Sequence, residues 1–172
     1  MDWTRSVSPA DTDPALPVFT VADLEAVPSL ELPSFSKDDA FELGVIAAEL
    51  IRSRGLNLAV DVVLDDDLVF RAKFGGTGVG NDEWLAGKAA VARYFGVPSL
   101  LVRLRLEAEG TPFEELRDPN IDHAVMKAHG GSIPIFADGV PVGTITTSGE
   151  PDVVDHQTAA DAVEAYRAHR LG

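Results

Sequence analysis

Residues 128–135 read Ala-His-Gly-Gly-Ser-Ile-Pro-Ile, and residues 142–149 read Val-Gly-Thr-Ile-Thr-Thr-Ser-Gly. Asp138-Gly139 lies between the two runs and suits a tight turn, because both residue types tolerate positive φ. The runs therefore predict the two strands of a hairpin, at 132–137 and 142–147. Asp155-His156 then falls in the first turn of a terminal helix. A hairpin that leads into a helix, with a histidine at each border, is typical of a mixed α and β fold.

The rest of the chain predicts a second hairpin and several helices. Leu58 to Leu64 is aliphatic and β-branched, and Leu68 to Phe74 alternates apolar and charged residues beyond an aspartate turn. Ser36, with Asp39 three residues on, is a weak capping box for a helix that ends at Gly55. A short helix is predicted within Thr20 to Leu32, and a longer one from an Asn81 cap to Gly96. Leu100 to Glu107 is predicted to be a helix, with a strand as the alternative, and another short helix is predicted after Thr111-Pro112.

Composition narrows the class of protein. A chain of 172 residues with 45% hydrophobic residues is long enough for one domain with a sizeable core. The net charge of −14 argues against nucleic-acid and membrane partners, because both bind clustered Lys and Arg. Cysteine is absent, which excludes disulfides, iron–sulfur clusters, Cys-ligated zinc and thiol catalysis. Any metal or haem ligand must then be His, Met, Tyr or a carboxylate.

The N-terminal segment differs from the rest. Pro9, Pro14 and Pro17 lie among Ser, Asp and Thr with few large apolar residues, so residues 1–18 are predicted to be a mobile tail before a single domain over 19–172. No basic region followed by an apolar run opens the chain, and no apolar segment approaches bilayer-spanning length. We therefore expect no signal peptide and a cytoplasmic protein.

Two of the four histidines are candidate ligands. His129 precedes Gly130-Gly131, which let the backbone approach another group closely, as a pocket wall requires. His156 lies near a helix N-terminus, which disfavours imidazolium, so its ring is expected to be a neutral iron ligand or proton acceptor. The alternatives are a turn histidine and a core histidine bonded to backbone. His123 and His169 have polar surroundings typical of surface residues.

Trp84 and Lys88 lie one helical turn apart, so an aromatic ring and an ammonium are expected to flank one ligand. The alternative is that Trp84 packs in the core and Lys88 is solvated. Other chemistries find little support. The glycine-rich run at 74–80 lacks phosphate-loop spacing, Ser148 lacks the glycine of a nucleophile elbow, and no His-x-x-x-His pair indicates zinc.

These motifs together resemble a microbial subgroup of the haem-degrading-domain (GlcG-like) family. The similarity covers about Thr20 to Tyr166 and includes the segments at 81–84, 129–135, 142–149 and 155–156. The resemblance implies an α+β fold, a profilin-like antiparallel sheet of four to five strands flanked by helices, and assembly into homo-oligomers. It also implies that some relatives bind haem or related tetrapyrroles, while no agreed catalytic set carries over.

Three functions remain open from the sequence. The first is tetrapyrrole (haem) binding, with or without oxidative haem degradation, in which His129 or His156 ligates the iron, Trp84 stacks and Lys88 holds a propionate. No other cofactor is expected, and Lys88, Arg71 or Lys73 must reverse the acidic field locally. The second is a non-enzymatic homo-oligomeric binding module, with His129 and Trp84 buried against a neighbouring chain. The third is a small-molecule enzyme without haem that uses Glu83 and His156.

Overall fold

A computed structural model describes residues 15–172 of the chain. The predicted tail lies mostly outside this range, and residues 15–18 have no regular secondary structure. The described elements are α1 (Val21–Ala26), β1 (Leu30–Leu32), α2 (Lys37–Ser53), β2 (Ala59–Leu64), β3 (Asp67–Lys73), α3 (Asn81–Phe95), α4 (Ser99–Glu109), a 3-10 turn (Phe113–Glu115), β4 (Ser132–Ala137), β5 (Val140–Ser148) and α5 (Asp152–Leu171). No helix of the described range has the length and apolar character to cross a bilayer.

The strands form one five-stranded sheet in the order β1-β4-β5-β2-β3. β4 with β5, β5 with β2 and β2 with β3 pair antiparallel, as the two predicted hairpins require. The edge strand β1 runs parallel to β4, with Leu30 opposite Ile135. The predicted α+β fold, an antiparallel sheet flanked by helices, is confirmed, and one short parallel edge strand is added to it.

Helices cover both faces of the sheet. On one face, Val60, Val62 and Ile145 pack with α2 and α5 into the main core, where Tyr166 is fully buried. On the other face α3 and α4 lie over polar side chains, since Ser132 bonds Thr146 at 2.8 Å and also contacts Ser99 of α4. The first face supplies an apolar core, and the second holds buried polar groups.

Most element predictions are confirmed, with local corrections. The Ser36 capping box forms with Asp39, and Leu100 to Glu107 is helical. The short helix predicted within Thr20 to Leu32 is confirmed as α1, and the strand β1 that follows it was not predicted. Asn81 does not cap α3, because it is the first helical residue after a Gly80 cap. Thr111 does not cap the next turn either, since Pro112 takes that position and the turn is 3-10.

Candidate functional site

Three of the four predicted site residues line one cleft of about 360 Å³, which we name the Trp84 cleft. The N-terminal turns of α3 provide Trp84 and Lys88, and the loop before β4 provides His129. The end of β5 and the start of α5 complete the wall. The lining residues are Asn81, Trp84, Lys88, His129, Ser148, Gly149, Glu150, Asp152 and Asp155.

Trp84 and His129 form the accessible part of this cleft. Their rings meet edge to face with centroids 5.4 Å apart, and His129 is exposed. The Trp84 side of the cleft also carries a cation, since Lys127 Nζ lies 4.6 Å from the indole centroid. An edge-to-face contact holds the imidazole in place without engaging its nitrogens in a salt bridge. The His129 ring is therefore held at the surface of the cleft, where a neutral imidazole is able to coordinate a metal or accept a hydrogen bond.

Lys88 lies at the floor of the cleft and is only 2% exposed. Its Nζ donates to Asp155 Oδ2 at 2.8 Å and to the Thr147 carbonyl at 3.1 Å. Burial raises the pKa of the Asp155 carboxyl to about 6, against the Lys88 ammonium and the Glu150 N–H, which lower it. Both charges are satisfied inside the protein, so Lys88 is neither solvated nor free to hold a ligand carboxylate without displacing Asp155.

Glycine is required where the His129 loop passes the start of α5. Gly131 has φ of +137°, and a Cβ there would lie 2.3 Å from the Thr147 carbonyl oxygen and 3.1 Å from Lys88 Nζ. A Cβ on Gly130 would lie 2.4 Å from the Asp152 carbonyl oxygen, and the Gly130 N–H donates to the Asp152 carboxylate at 2.9 Å. The predicted close backbone approach is confirmed, and it brings His129 against the buried ion pair.

His129 also borders a second cleft, of about 370 Å³, which we name the Phe113 cleft. Its apolar wall consists of Leu106, Pro112, Phe113 and Ala128, and Arg103 lies at its margin. Arg103 pairs with Glu107 at 2.7 Å and with Asp152 at 2.9 Å. The exposed imidazole thus separates a polar cleft from a largely apolar one.

His156 is not part of this site. It lines a pocket between α1 and α5, which we name the His156 pocket, together with Phe19 and Leu24. His156 is 4% exposed, and its ring meets the Phe19 ring edge to face with the centroids 4.9 Å apart. The residue begins the second turn of α5, whereas the sequence placed it in the first turn. Burial lowers the pKa of His156 to about 4, so burial rather than the helix terminus keeps this ring neutral.

The proposed Glu83 and His156 pair is not brought together. Glu83 is exposed on α3 and does not line the His156 pocket. Arg71 and Lys73 do not reverse the field at the Trp84 cleft either, because they pair with Asp61 and Asp82. Within residues 15–172, no three His or carboxylate side chains are grouped to hold a metal ion.

Sequence reasoning missed most of the polar wall of the Trp84 cleft, and above all Asp155 as the partner of Lys88. One signal was available: Leu85, Lys88 and Ala92 share one face of α3, so this lysine falls on a buried stripe. A lysine on such a stripe requires a carboxylate partner, which identifies the need although not the residue.

The fold is shared with solved proteins. The Ybr137w protein superposes with a TM-score of 0.77 at 24% identity, covering 88% of this chain and 90% of that one. PduOC, solved as a haem complex, superposes with a TM-score of 0.64 at 18% identity, covering 77% of this chain and 94% of that one. These proteins define the structural class, a five-stranded sheet between two layers of helices.

Sequence comparison defines the family within that class. A UPF0303 protein of Streptomyces coelicolor is 39% identical over 157 residues, which cover 90% of this chain and 97% of the relative. The model of the haem-degrading protein family called HbpS-like matches residues 35–164. The chain belongs to this HbpS-like family, and the resemblance inferred from its motifs is confirmed.

Proposed function

We propose that the protein binds haem, or a closely related tetrapyrrole, at the ridge between the Trp84 and Phe113 clefts, with His129 as the iron ligand. The observation that carries the proposal is the exposed His129 ring, fixed against Trp84 and bordered by two clefts. Membership of a family described as haem-degrading and the fold shared with PduOC, which was solved with haem, support the same ligand.

The residues present fit the chemistry of haem. Imidazole is the commonest metal ligand among side chains and holds the iron in many haem proteins, and the apolar wall with Phe113 and Leu106 suits a macrocycle. Each cleft volume lies within the range of ordinary ligand pockets, about 300–1,000 Å³. Two partly exposed cations adjoin the clefts: Lys127 lies above Trp84, and Arg103 lines the Phe113 cleft. When bound, haem would supply the redox chemistry of iron, and the protein would supply ligation and orientation.

The geometry changes two roles predicted from the sequence. Lys127 replaces Lys88 as the group for a propionate, because Lys88 is bonded to Asp155 inside the protein. His156 is left out of the haem site, because it lines a separate pocket. Trp84 keeps its place as an aromatic wall, with its edge contact to His129. Carboxylates line both clefts, but only the Phe113 cleft has a continuous apolar wall beside them, so that wall is the better place for the macrocycle.

The test is a haemin titration followed by the visible spectrum. The intact protein is expected to give a saturable Soret shift that His129→Ala abolishes, because the nitrogen ligand is removed. His169→Ala is the matched control, since that histidine is exposed at the far end of α5 and pairs with Glu42. A Soret shift that survives in His129→Ala, or a titration that does not saturate, would contradict the proposal.

The more specific proposal is that the protein also degrades the haem that it binds, by oxidation. The haem complex would be given a reductant and oxygen, and the Soret band would be followed over time. If the protein degrades haem, the band falls with the appearance of an open-chain tetrapyrrole, and His129→Ala shows neither change. Free haem in the same mixture is the control. A Soret band of the complex that decays no faster than the band of free haem identifies binding without degradation.

A second function, assembly of copies of this chain, is favoured by one surface. Phe41 is 58% exposed and Leu68 is 44% exposed, and Phe70 meets Phe41 edge to face at 5.9 Å. This surface adjoins β3, which is an edge strand among the described residues. We therefore propose a homo-oligomer formed through α2 and β3. Light scattering on a sizing column tests it: Phe41→Glu should lower the mass, whereas the control Leu171→Glu should not.

A further inference from the structure

The His156 pocket is a cavity of about 240 Å³ with no role in the proposed haem site. Its floor is apolar and includes Leu24, Ile133 and Val163. Phe19 provides an aromatic wall. An engineered apolar cavity of about 150 Å³ holds benzene, so this volume suits a molecule of one or two rings. The pocket therefore has the size and lining of a small-molecule site.

One side chain that lines this pocket carries a buried polar atom without a hydrogen bond among the described residues. His156 Nδ1 is buried and has no partner among residues 15–172, although the ring is 4% exposed. Buried polar groups of this kind are costly and are rarely left unsatisfied. The Phe19 ring fixes the imidazole from the side without contributing a hydrogen bond. A ligand with an N–H or O–H group would satisfy this nitrogen.

The charged residues of the pocket favour a cation. Asp23, Asp161 and Glu164 line it with one cation, Arg167, and Asp161 also pairs with Arg54 at 2.8 Å, which leaves Asp23 as the carboxylate without a salt bridge among the described residues. Arg167 is already engaged, since it donates to the Ser29 carbonyl and lies 3.6 Å from Glu164. The Asp23 carboxylate accepts the Thr20 N–H that caps α1, and hydrogen bonds with Thr20 lower its pKa, so it stays charged. An anionic ligand would therefore meet a net negative rim.

We propose that the His156 pocket binds a small aromatic amine, with its ring on the apolar floor, a ring N–H or O–H on His156 Nδ1, and its ammonium among the carboxylates of α1 and α5. This site is independent of haem, because it shares no lining residue with the Trp84 cleft or the Phe113 cleft. The charge requirement can be tested by changing the ligand, and the hydrogen-bond requirement by changing His156.

The experiment is isothermal titration calorimetry of the full chain with tryptamine, indole and indole-3-acetate. These probes share the indole ring system and carry a cationic side chain, no side chain and an anionic side chain, respectively. We expect saturable binding of tryptamine, weaker binding of neutral indole, and indole-3-acetate weaker than tryptamine by at least about tenfold, because the carboxylates repel it. Equal affinity for tryptamine and indole-3-acetate, or no saturable binding of tryptamine, would overturn the proposal.

Variants locate the site. His156→Phe keeps the shape of the ring and removes the acceptor, and it should weaken tryptamine roughly five- to tenfold, as for loss of one uncharged hydrogen bond. Glu164→Gln should weaken it less, and the control Glu109→Gln, exposed on α4, should leave it unchanged. His129→Ala should also leave it unchanged, which separates this proposal from haem binding. Unchanged binding in both His156→Phe and Glu164→Gln rejects the pocket, and the ligand series decides should His156→Phe fail to fold.

Discussion

The regions around His129 and His156 contain the same side chain in opposite surroundings. His129 is exposed on a loop, bordered by carboxylates, a tryptophan and a lysine, above the buried pair of Lys88 and Asp155. His156 is buried on a helix among apolar groups, with an unsatisfied nitrogen. In the two proposals, His129 binds an external ligand that needs an accessible nitrogen, and His156 binds a ligand that enters the protein. Neighbouring groups, rather than residue type, determine the role of a histidine.

The largest loss of stability is expected in the region around His129, at the buried pair of Lys88 and Asp155. Lys88→Met would leave Asp155 buried without its cation, and removing one member of a buried pair costs about 3–5 kcal/mol of the free energy of unfolding. Urea unfolding at neutral pH measures it. The matched control is Lys37→Met, which removes an exposed pair with Asp67 and should cost less than about 1 kcal/mol.

This prediction also has a pH signature. Lys88 lowers the pKa of Asp155, so in Lys88→Met this carboxyl binds its proton at a higher pH than in the wild type, and the cost of the variant should shrink as the pH falls toward about 6 and level off below it. A loss of stability no greater than that of Lys37→Met would show that the two regions do not differ in the way that the structure indicates.

The next largest loss of stability is expected in the region around His156, when the pH is lowered. The pKa of His156 is lowered by burial from 6.5 to about 4, against the raising effect of the Asp152 and Asp161 carboxylates. The unfolded chain therefore binds the extra proton first, and stability is lost as the pH falls from about 6.5 to 4, by up to about 3 kcal/mol. Urea unfolding across this range measures the loss.

His156→Phe provides the comparison for this pH dependence. The variant lacks the titrating ring, so the wild type should lose stability relative to it as the pH falls through the same window. Asp155, whose raised pKa has the opposite sign, remains in both proteins and largely cancels in the difference. A difference that stays constant between pH 6.5 and 4 would show that His156 is not buried in neutral form.

Prediction from sequence was good where the signal is local. The Ser36 box, the Gly96 and Gly110 helix ends and the Asp138-Gly139 turn depend on groups within four residues of one another, and each was identifiable. β1 was not, because a strand of three residues exists only through its pairing with Ile135 to Ala137 at the other end of the chain. Its own Leu-Glu-Leu pattern fits a helix equally well.

Only half of the Trp84 cleft could be predicted, because sequence patterns show which residues are close within one element but not which elements meet. Trp84 and Lys88 share a helix, so their proximity follows from helical spacing. The partner of Lys88 is 67 residues away in the sequence, and only the fold brings Asp155 to it. The two histidines flank one predicted hairpin and helix, yet their side chains line separate pockets, which sequence spacing cannot show.

A smaller effect is expected where the His129 loop passes β5. Gly131→Ala places a side chain at φ of +137° and against the Thr147 carbonyl, and we expect a loss of about 2–3 kcal/mol in thermal or urea unfolding. Gly78→Ala is the control, because nothing lies within 4 Å of its added Cβ. That change should be neutral or slightly stabilising. Similar costs at the two glycines would mean that the loop is not held against the ion pair.

The smallest effect is expected at His129 itself. An exposed side chain with one edge contact contributes little to folding, so His129→Ala should change the free energy of unfolding by less than about 0.5 kcal/mol. His156→Ala, which empties a packed position, should cost several times more under the same conditions. If His129→Ala is nearly silent in unfolding and yet abolishes the Soret shift, the residue contributes to ligand binding and not to folding. If it destabilises as much as His156→Ala, its loss of haem binding would report misfolding, and the contrast between the two histidines would fail.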